Sequence, residues 1–157
     1  MIVDNEPGVL ARISGMFSGR GYNIEILTVS ETEVARHISR ITIVTTGTDA
    51  VIQQIKAQLD RLVPVHRVVD LTLQGHALER ELCLVKVQGT GEHRAESLTL
   101  AAAFGAKTLD ATLNSFVFEV TGTTEEIDRL IGLMTVIGLV EISRTGIAAM
   151  GRGAEAM

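Results

Sequence analysis

The feature that most constrains this chain is a breaker-rich turn, Asp4-Asn5-Glu6-Pro7-Gly8, that opens into an apolar-periodic run and closes at Gly21-Tyr22-Asn23-Ile24. Such a stretch reads as a turn, a helix and a strand in succession. Proline suits the first helical position because it has no amide hydrogen to leave unpaired and its ring holds φ near the helical value, so the helix is expected to begin at about Pro7. Val9, Leu10, Ile13, Met16 and Phe17 recur at helical spacing, while Arg12, Ser14, Ser18 and Arg20 fall elsewhere. That apolar face requires a sheet. Gly21 supplies the left-handed residue that commonly closes a helix, and Tyr22 to Val29 is rich in strand-favouring types.

The two ends of this unit carry the candidate chemistry. Gly8 leaves room for a ligand to approach backbone where unpaired amides and the positive end of the helix dipole would meet a carboxylate. Asn5 stands just before it, and Asn23 offers both a carbonyl oxygen and an amide group, a combination that suits a zwitterion such as a free amino acid. The same residues are also common turn chemistry, Asx-Glu-Pro-Gly as a helix entry and Gly-Tyr-Asn as a helix-to-strand turn. Spacing alone leaves both readings open.

Asn5-Glu6-Pro7-Gly8-Val9-Leu10-Ala11-Arg12, Phe17-Ser18-Gly19-Arg20-Gly21-Tyr22-Asn23-Ile24, Ser39-Arg40-Ile41-Thr42-Ile43-Val44 and Glu79-Arg80-Glu81-Leu82 together resemble the small, regulatory subunits of acetohydroxyacid synthase (acetolactate synthase). The likeness runs nearly end to end, through Ser143-Arg144-Thr145-Gly146 and Gly151-Arg152-Gly153, and the first half is similar to an ACT domain, a module that binds amino acids. The resemblance implies a non-catalytic chain that activates a separate catalytic subunit and makes it sensitive to a branched-chain amino acid, valine first among them. It implies no cofactor in this chain; thiamin diphosphate, FAD and magnesium belong to the partner. It further implies a homodimer through the ACT domains. The effector would be bound by the amides of Gly8 and Val9, by Asn5 and Asn23, and by Leu10 and Ile24 around its side chain, with Asn23 able to act from the neighbouring protomer.

Composition narrows the alternatives. The 157 residues carry a net charge of −5, from 14 basic and 19 acidic side chains, which disfavours a basic face for nucleic acid or anionic membranes. Aromatics make up 3% with no tryptophan, so base-stacking platforms are scarce. No apolar run reaches the roughly 18 residues that span a bilayer, and no secretory pattern opens the sequence, so a soluble, cytoplasmic protein is expected. Cys83 has no cysteine partner and lies in Leu82-Cys83-Leu84-Val85, which reads as a small buried side chain in a strand.

In chain order, Ile2 and Val3 form a shortened first strand, and Ser30 to Arg36 a turn. His37 to Thr46 is a strand with Ile41 and Ile43 on one face. A helix follows, capped by Thr48 or Asp49 and stopped at Pro64, then a strand from Val65 to Leu73. From Glu81 the order repeats: strand Leu82–Gln88, helix from about Glu92 to Phe104, strand Lys107–Ala111, strand Phe116–Thr121, helix from about Thr124 to Thr135 capped by Thr123 or Thr124, and strand Leu139–Arg144. The expected fold class is α+β, two consecutive ferredoxin-like βαββαβ domains, the first an ACT domain over 1–74. Residues 75–80 are the expected linker, and 81–157 the second domain with a partly ordered tail.

Other constellations carry little. Gly89-Thr90-Gly91 has Arg94 where a dinucleotide fingerprint needs its third glycine, so it reads as a turn, and no Walker-type loop occurs. His37, His66, His76 and His93 lack metal-ligand spacing, and Asp110, Glu79, Glu81 and Glu119 form no catalytic pair. Glu79-Arg80-Glu81, Arg144 and Arg152 are either solvated charges or docking contacts. The readings from other classes are a stand-alone ACT-type amino-acid sensor and a ferredoxin-like RNA-binding module.

Overall fold

A computed structural model describes residues 1–73 and 77–156. The chain divides into two compact units, Met1–Leu78 with Ala148–Met157, and Glu79–Ile147. The segment from Ala148, read above as the tail of the second domain, therefore groups with the first unit. Of the expected linker, Gly75 and His76 lie outside the described residues, as does Gln74, while Leu78 to Arg80 already belong to a strand.

The first unit comprises β1 (Ile2–Asp4), α1 (Val9–Gly19), β2 (Ile26–Glu33), a 3-10 turn (Val34–Arg36), β3 (Ile38–Val44), α2 (Asp49–Leu59) and β4 (Val65–Arg67). Its sheet runs β2-β3-β1-β4, each neighbouring pair antiparallel. Val3, Ile13, Phe17, Ile41, Ile55 and Leu59 are buried together, so the apolar stripes of both helices cover one sheet face. This is the βαββαβ order expected from the sequence.

Four boundaries differ, each for an identifiable reason. Gly8 has φ 89 and ψ −8, which no helical residue adopts, so α1 begins at Val9 rather than Pro7. Tyr22 closes the helix instead of opening the strand: its amide donates to the Phe17 carbonyl at 3.0 Å, its ring meets Phe17 edge-on at 6.2 Å, and its hydroxyl donates to Gln54 Oε1 at 2.9 Å. Pairing with β3 starts only at Ile26↔Val44 and runs on through Glu31↔Ser39 to a bulge before Glu33↔Ile38, so most of the expected turn is strand. Finally, β4 ends at Arg67, not Leu73, because β1 offers it only Ile2 and Val3 as partners.

The second unit comprises β5 (Leu78–Gln88), α3 (Gly91–Ala103), β6 (Lys107–Ala111), β7 (Ser115–Gly122), α4 (Thr124–Ile137) and β8 (Leu139–Arg144), and β9 (Ala148–Met150) follows it in the chain. Its strands run β6-β7-β5-β8, antiparallel, which repeats the order of the first sheet. Cys83, Val85, Val87, Phe116, Phe118 and Val120 alternate inward against Ile127, Leu130 and Met134 of α4. Thr123 caps α4, its hydroxyl accepting from the Glu126 amide while Glu126 Oε2 accepts from the Thr123 amide at 2.9 Å.

Candidate effector site

The helix entry is open. Gly8 is exposed, and a Cβ built on it would meet nothing within 4 Å. No side chain caps α1. The Val9 amide turns back to the Glu6 carbonyl at 3.4 Å and the Arg12 amide reaches Gly8 at 3.0 Å, which leaves the amides of Leu10 and Ala11 without a hydrogen-bond acceptor among the described residues. With the helix dipole behind them, free donors at this tip have the chemistry to accept an anion. Of the two amides named from the sequence, that of Val9 is turned back to Glu6, while no acceptor for that of Gly8 is found among the described residues. The Val9 side chain is buried in the core, whereas Leu10 is 42% exposed beside the tip.

Asn5 belongs to the same end. It follows β1 directly, its amide donates to the His37 carbonyl at 2.6 Å, and its residue is exposed. Asn23 and Ile24 stand elsewhere. The Asn23 carbonyl accepts from Thr45 Oγ1 at 2.6 Å, and the Glu25 amide reaches the Val44 carbonyl at 2.9 Å, so both residues sit where β3 ends, not where it begins. The 11 residues of α1 separate the two groups; at about 1.5 Å per residue the helix spans about 16 Å. One copy of the chain thus brings Asn5, Gly8, Val9 and Leu10 to one end of the first sheet and Asn23 with Ile24 to the other. Ile24 packs on the core, while Asn23 is exposed.

The remaining candidate groups have structural partners. Glu81, 1% exposed at its side chain, accepts from Arg144 Nη2 and, at 3.1 Å, from Arg144 Nε, and Arg144 Nη1 reaches Asp128 Oδ1 at 2.6 Å. The hydrogen bond to Glu81 holds the Arg144 guanidinium above its ordinary pKa despite partial burial. This network ties β5, β8 and α4 together. Sequence reasoning left Glu81 and Arg144 as surface or docking charges, although alternation along β5 through Glu81, Cys83, Val85 and Val87 places the carboxylate inward. Burial pushes the Cys83 thiol up, consistent with an unreactive core side chain. His66 Nε2 lies 2.6 Å from Asp4 Oδ1, and Arg94 stacks over Phe116 at 4.0 Å. Among the described residues no cluster of His, Cys, Asp and Glu could hold a metal, and no helix is long and apolar enough to cross a membrane.

Comparison with known proteins adds a family to this geometry. Residues 1–67 match the family model described as an AHAS small subunit-like ACT domain, and residues 80–153 match the model for the small subunit of acetolactate synthase. A probable acetolactate synthase small subunit from Archaeoglobus fulgidus is 43% identical over 98% of this chain and 94% of its own length. The acetolactate synthase isozyme 3 small subunit of Escherichia coli is 39% identical over 100% and 96%. The crystal structure of the acetolactate synthase small subunit from Thermotoga maritima superposes with a TM-score of 0.88 at 36% identity, covering 99% of this chain and 96% of that one.

Proposed function

The chain belongs to the acetolactate synthase small-subunit family, and from that premise we propose that it is a non-catalytic regulatory subunit acting on a separate catalytic chain, which it activates and renders sensitive to valine or a related branched-chain amino acid. Thiamin diphosphate, FAD and magnesium chemistry belongs to that partner, in the cytoplasm. The observation that carries the effector reading is the open tip of α1, a left-handed Gly8 followed by uncapped amides at Leu10 and Ala11.

A complete site needs two copies. β2 is an edge strand of the first sheet with Val29 46% exposed on it, and an uncovered edge of this length invites pairing with another strand. When two copies join antiparallel along β2 about a two-fold axis, the start of one β2 lies beside the end of the other. That end is where Glu31 and Glu33 pair with Ser39 and Ile38, next to Asn5 and the α1 tip. Asn23 of one copy then approaches Asn5, Gly8 and Leu10 of the other. The carboxylate of an amino acid meets the helix tip, the carboxamides take its remaining polar atoms, and Leu10 and Ile24 border its side chain.

Regulation follows from unequal affinity. Valine lowers activity only by binding more tightly to the arrangement of subunits that supports catalysis less well, and such couplings are typically about 1 to 3 kcal/mol. The test is the activity of an acetolactate synthase catalytic chain alone, with this chain, and with this chain plus valine. Activation by the chain and loss of that gain with valine are expected, and Gly8→Asp, which adds a carboxylate at the tip and strains a left-handed position, should keep activation while abolishing inhibition. No change in rate on adding the chain, or undiminished inhibition of the variant, contradicts the reading.

A further inference from the structure

Among the described residues, His37 is the one non-glycine with a positive φ, at φ 52 and ψ 48, in the left-handed region. That region is uncommon for residues with a side chain, although histidine shares with asparagine and aspartate a raised tolerance for it. His37 ends the short 3-10 turn Val34–Arg36, its amide donating back to the Val34 carbonyl at 3.2 Å, and β3 starts directly after it at Ile38. The imidazole contributes little: it is 79% exposed, and its Nδ1 lies 4.0 Å from Glu31 Oε1, too far for a hydrogen bond. The backbone does more. The His37 carbonyl accepts from the Asn5 amide at 2.6 Å, one residue beyond the Asp4↔Ile38 pair that ends the β1–β3 ladder.

Building on the effector reading of the α1 entry, we propose that His37 is a positioning residue of that site: its left-handed turn aims a carbonyl at the Asn5 amide and so sets where the Asn5 carboxamide stands. Among the described residues no other hydrogen bond joins 5–8 to a neighbouring strand, since the Val9 amide turns back to Glu6 and the Arg12 amide to Gly8. Residues 5–8 are all exposed, so packing gives them little support. The turn is held at one end by the buried Val9 side chain and at the other by the His37 carbonyl. A residue at 37 that leaves the left-handed region rotates this carbonyl away from β1, and Asn5 loses its fixed place. The strained conformation lies beside the proposed ligand, where such outliers concentrate.

The test compares the full wild-type chain with His37→Val, a β-branched residue for which this φ is an outlier, and with His37→Gly and His37→Asn, which tolerate it. Exchange of the Asn5 amide is followed by NMR without ligand, and binding of free valine by calorimetric titration. The Ile41 amide, bonded to the Met1 carbonyl at 2.9 Å, is the internal reference for opening of the sheet. In His37→Val the Asn5 amide should exchange roughly tenfold or more faster and free valine should bind roughly fivefold or more weakly, with Ile41 unchanged. In His37→Gly and His37→Asn both quantities should stay within about twofold of wild type, a rescue that a role for the ring would not give. Wild-type exchange at Asn5 in His37→Val overturns the assignment, and so does faster exchange with unaltered affinity, equal losses in His37→Gly and His37→Val, or a parallel rise at Ile41. A wild-type chain that does not bind free valine contradicts the effector reading itself, whereas the other outcomes count against His37 alone.

Discussion

Gly8 and Pro7 compete for the start of one helix, and the outcome shows what a single residue decides. Proline chemistry alone favours a helix from Pro7, but the left-handed Gly8 cannot be helical, so the entry becomes a turn with exposed amides. The sequence reading named the amides of Gly8 and Val9 at this tip; the Val9 amide turns back to Glu6 instead, because which amides stay free depends on the turn closed between Val9 and Glu6. Glu81 teaches the converse. Its neighbours in Glu79-Arg80-Glu81 suggest a solvated cluster, yet strand parity buries it, and its partner Arg144 is distant in sequence and 27% exposed at the side chain. Removing Glu81 leaves Arg144 only the more exposed Asp128 as a partner and empties a buried position, so Glu81→Ala should lower the stability of the second unit by about 2 kcal/mol. The double variant Glu81→Leu with Arg144→Met should recover most of that loss. Urea midpoints measure both, and a midpoint for Glu81→Ala equal to that of wild type would show that the network contributes nothing.

At the scale of elements, helices were more legible than strands. The apolar stripes of α1, α2 and α4 and the Thr48 and Thr123 caps follow from side-chain spacing and local hydrogen bonding. Strand limits in the first unit depend on partners far away in sequence: β2 continues through polar Ser30 to Glu33 because β3 supplies the ladder, and β4 stops early because β1 is short. The junction of α4 and β8 is the tightest connection. Gly138 has φ 144, its amide donates to Met134 and its carbonyl accepts from the Gln88 amide at 2.9 Å, and a Cβ there would stand 2.2 Å from the Gln88 carbonyl oxygen. Gly138→Ala must therefore displace backbone as well as adopt an unfavourable φ, and a loss of about 2 kcal/mol or more is expected in thermal or urea unfolding. An unperturbed midpoint would mean that the α4–β8 turn relaxes freely.

At the scale of the whole molecule, two units of one topology arise from sequences with no obvious repeat, since antiparallel β2-β3-β1-β4 order follows from element order and short connections rather than from residue identity. The fold class was legible for that reason. The residues of the proposed effector site were named from the sequence, with Asn23 allowed to act from a neighbouring protomer by the resemblance; residue spacing alone does not reveal that α1 holds Asn5 and Asn23 at opposite ends of one chain. The decisive measurement is calorimetric titration of valine into Asn5→Ala, into Asn23→Ala, and into an equilibrated equal mixture of the two. Each variant alone should show no binding, whereas mixing creates dimers in which one copy's intact Asn5 faces the other's intact Asn23, restoring roughly a quarter of the sites at near wild-type affinity. A mixture as silent as its components would contradict a site shared between two copies.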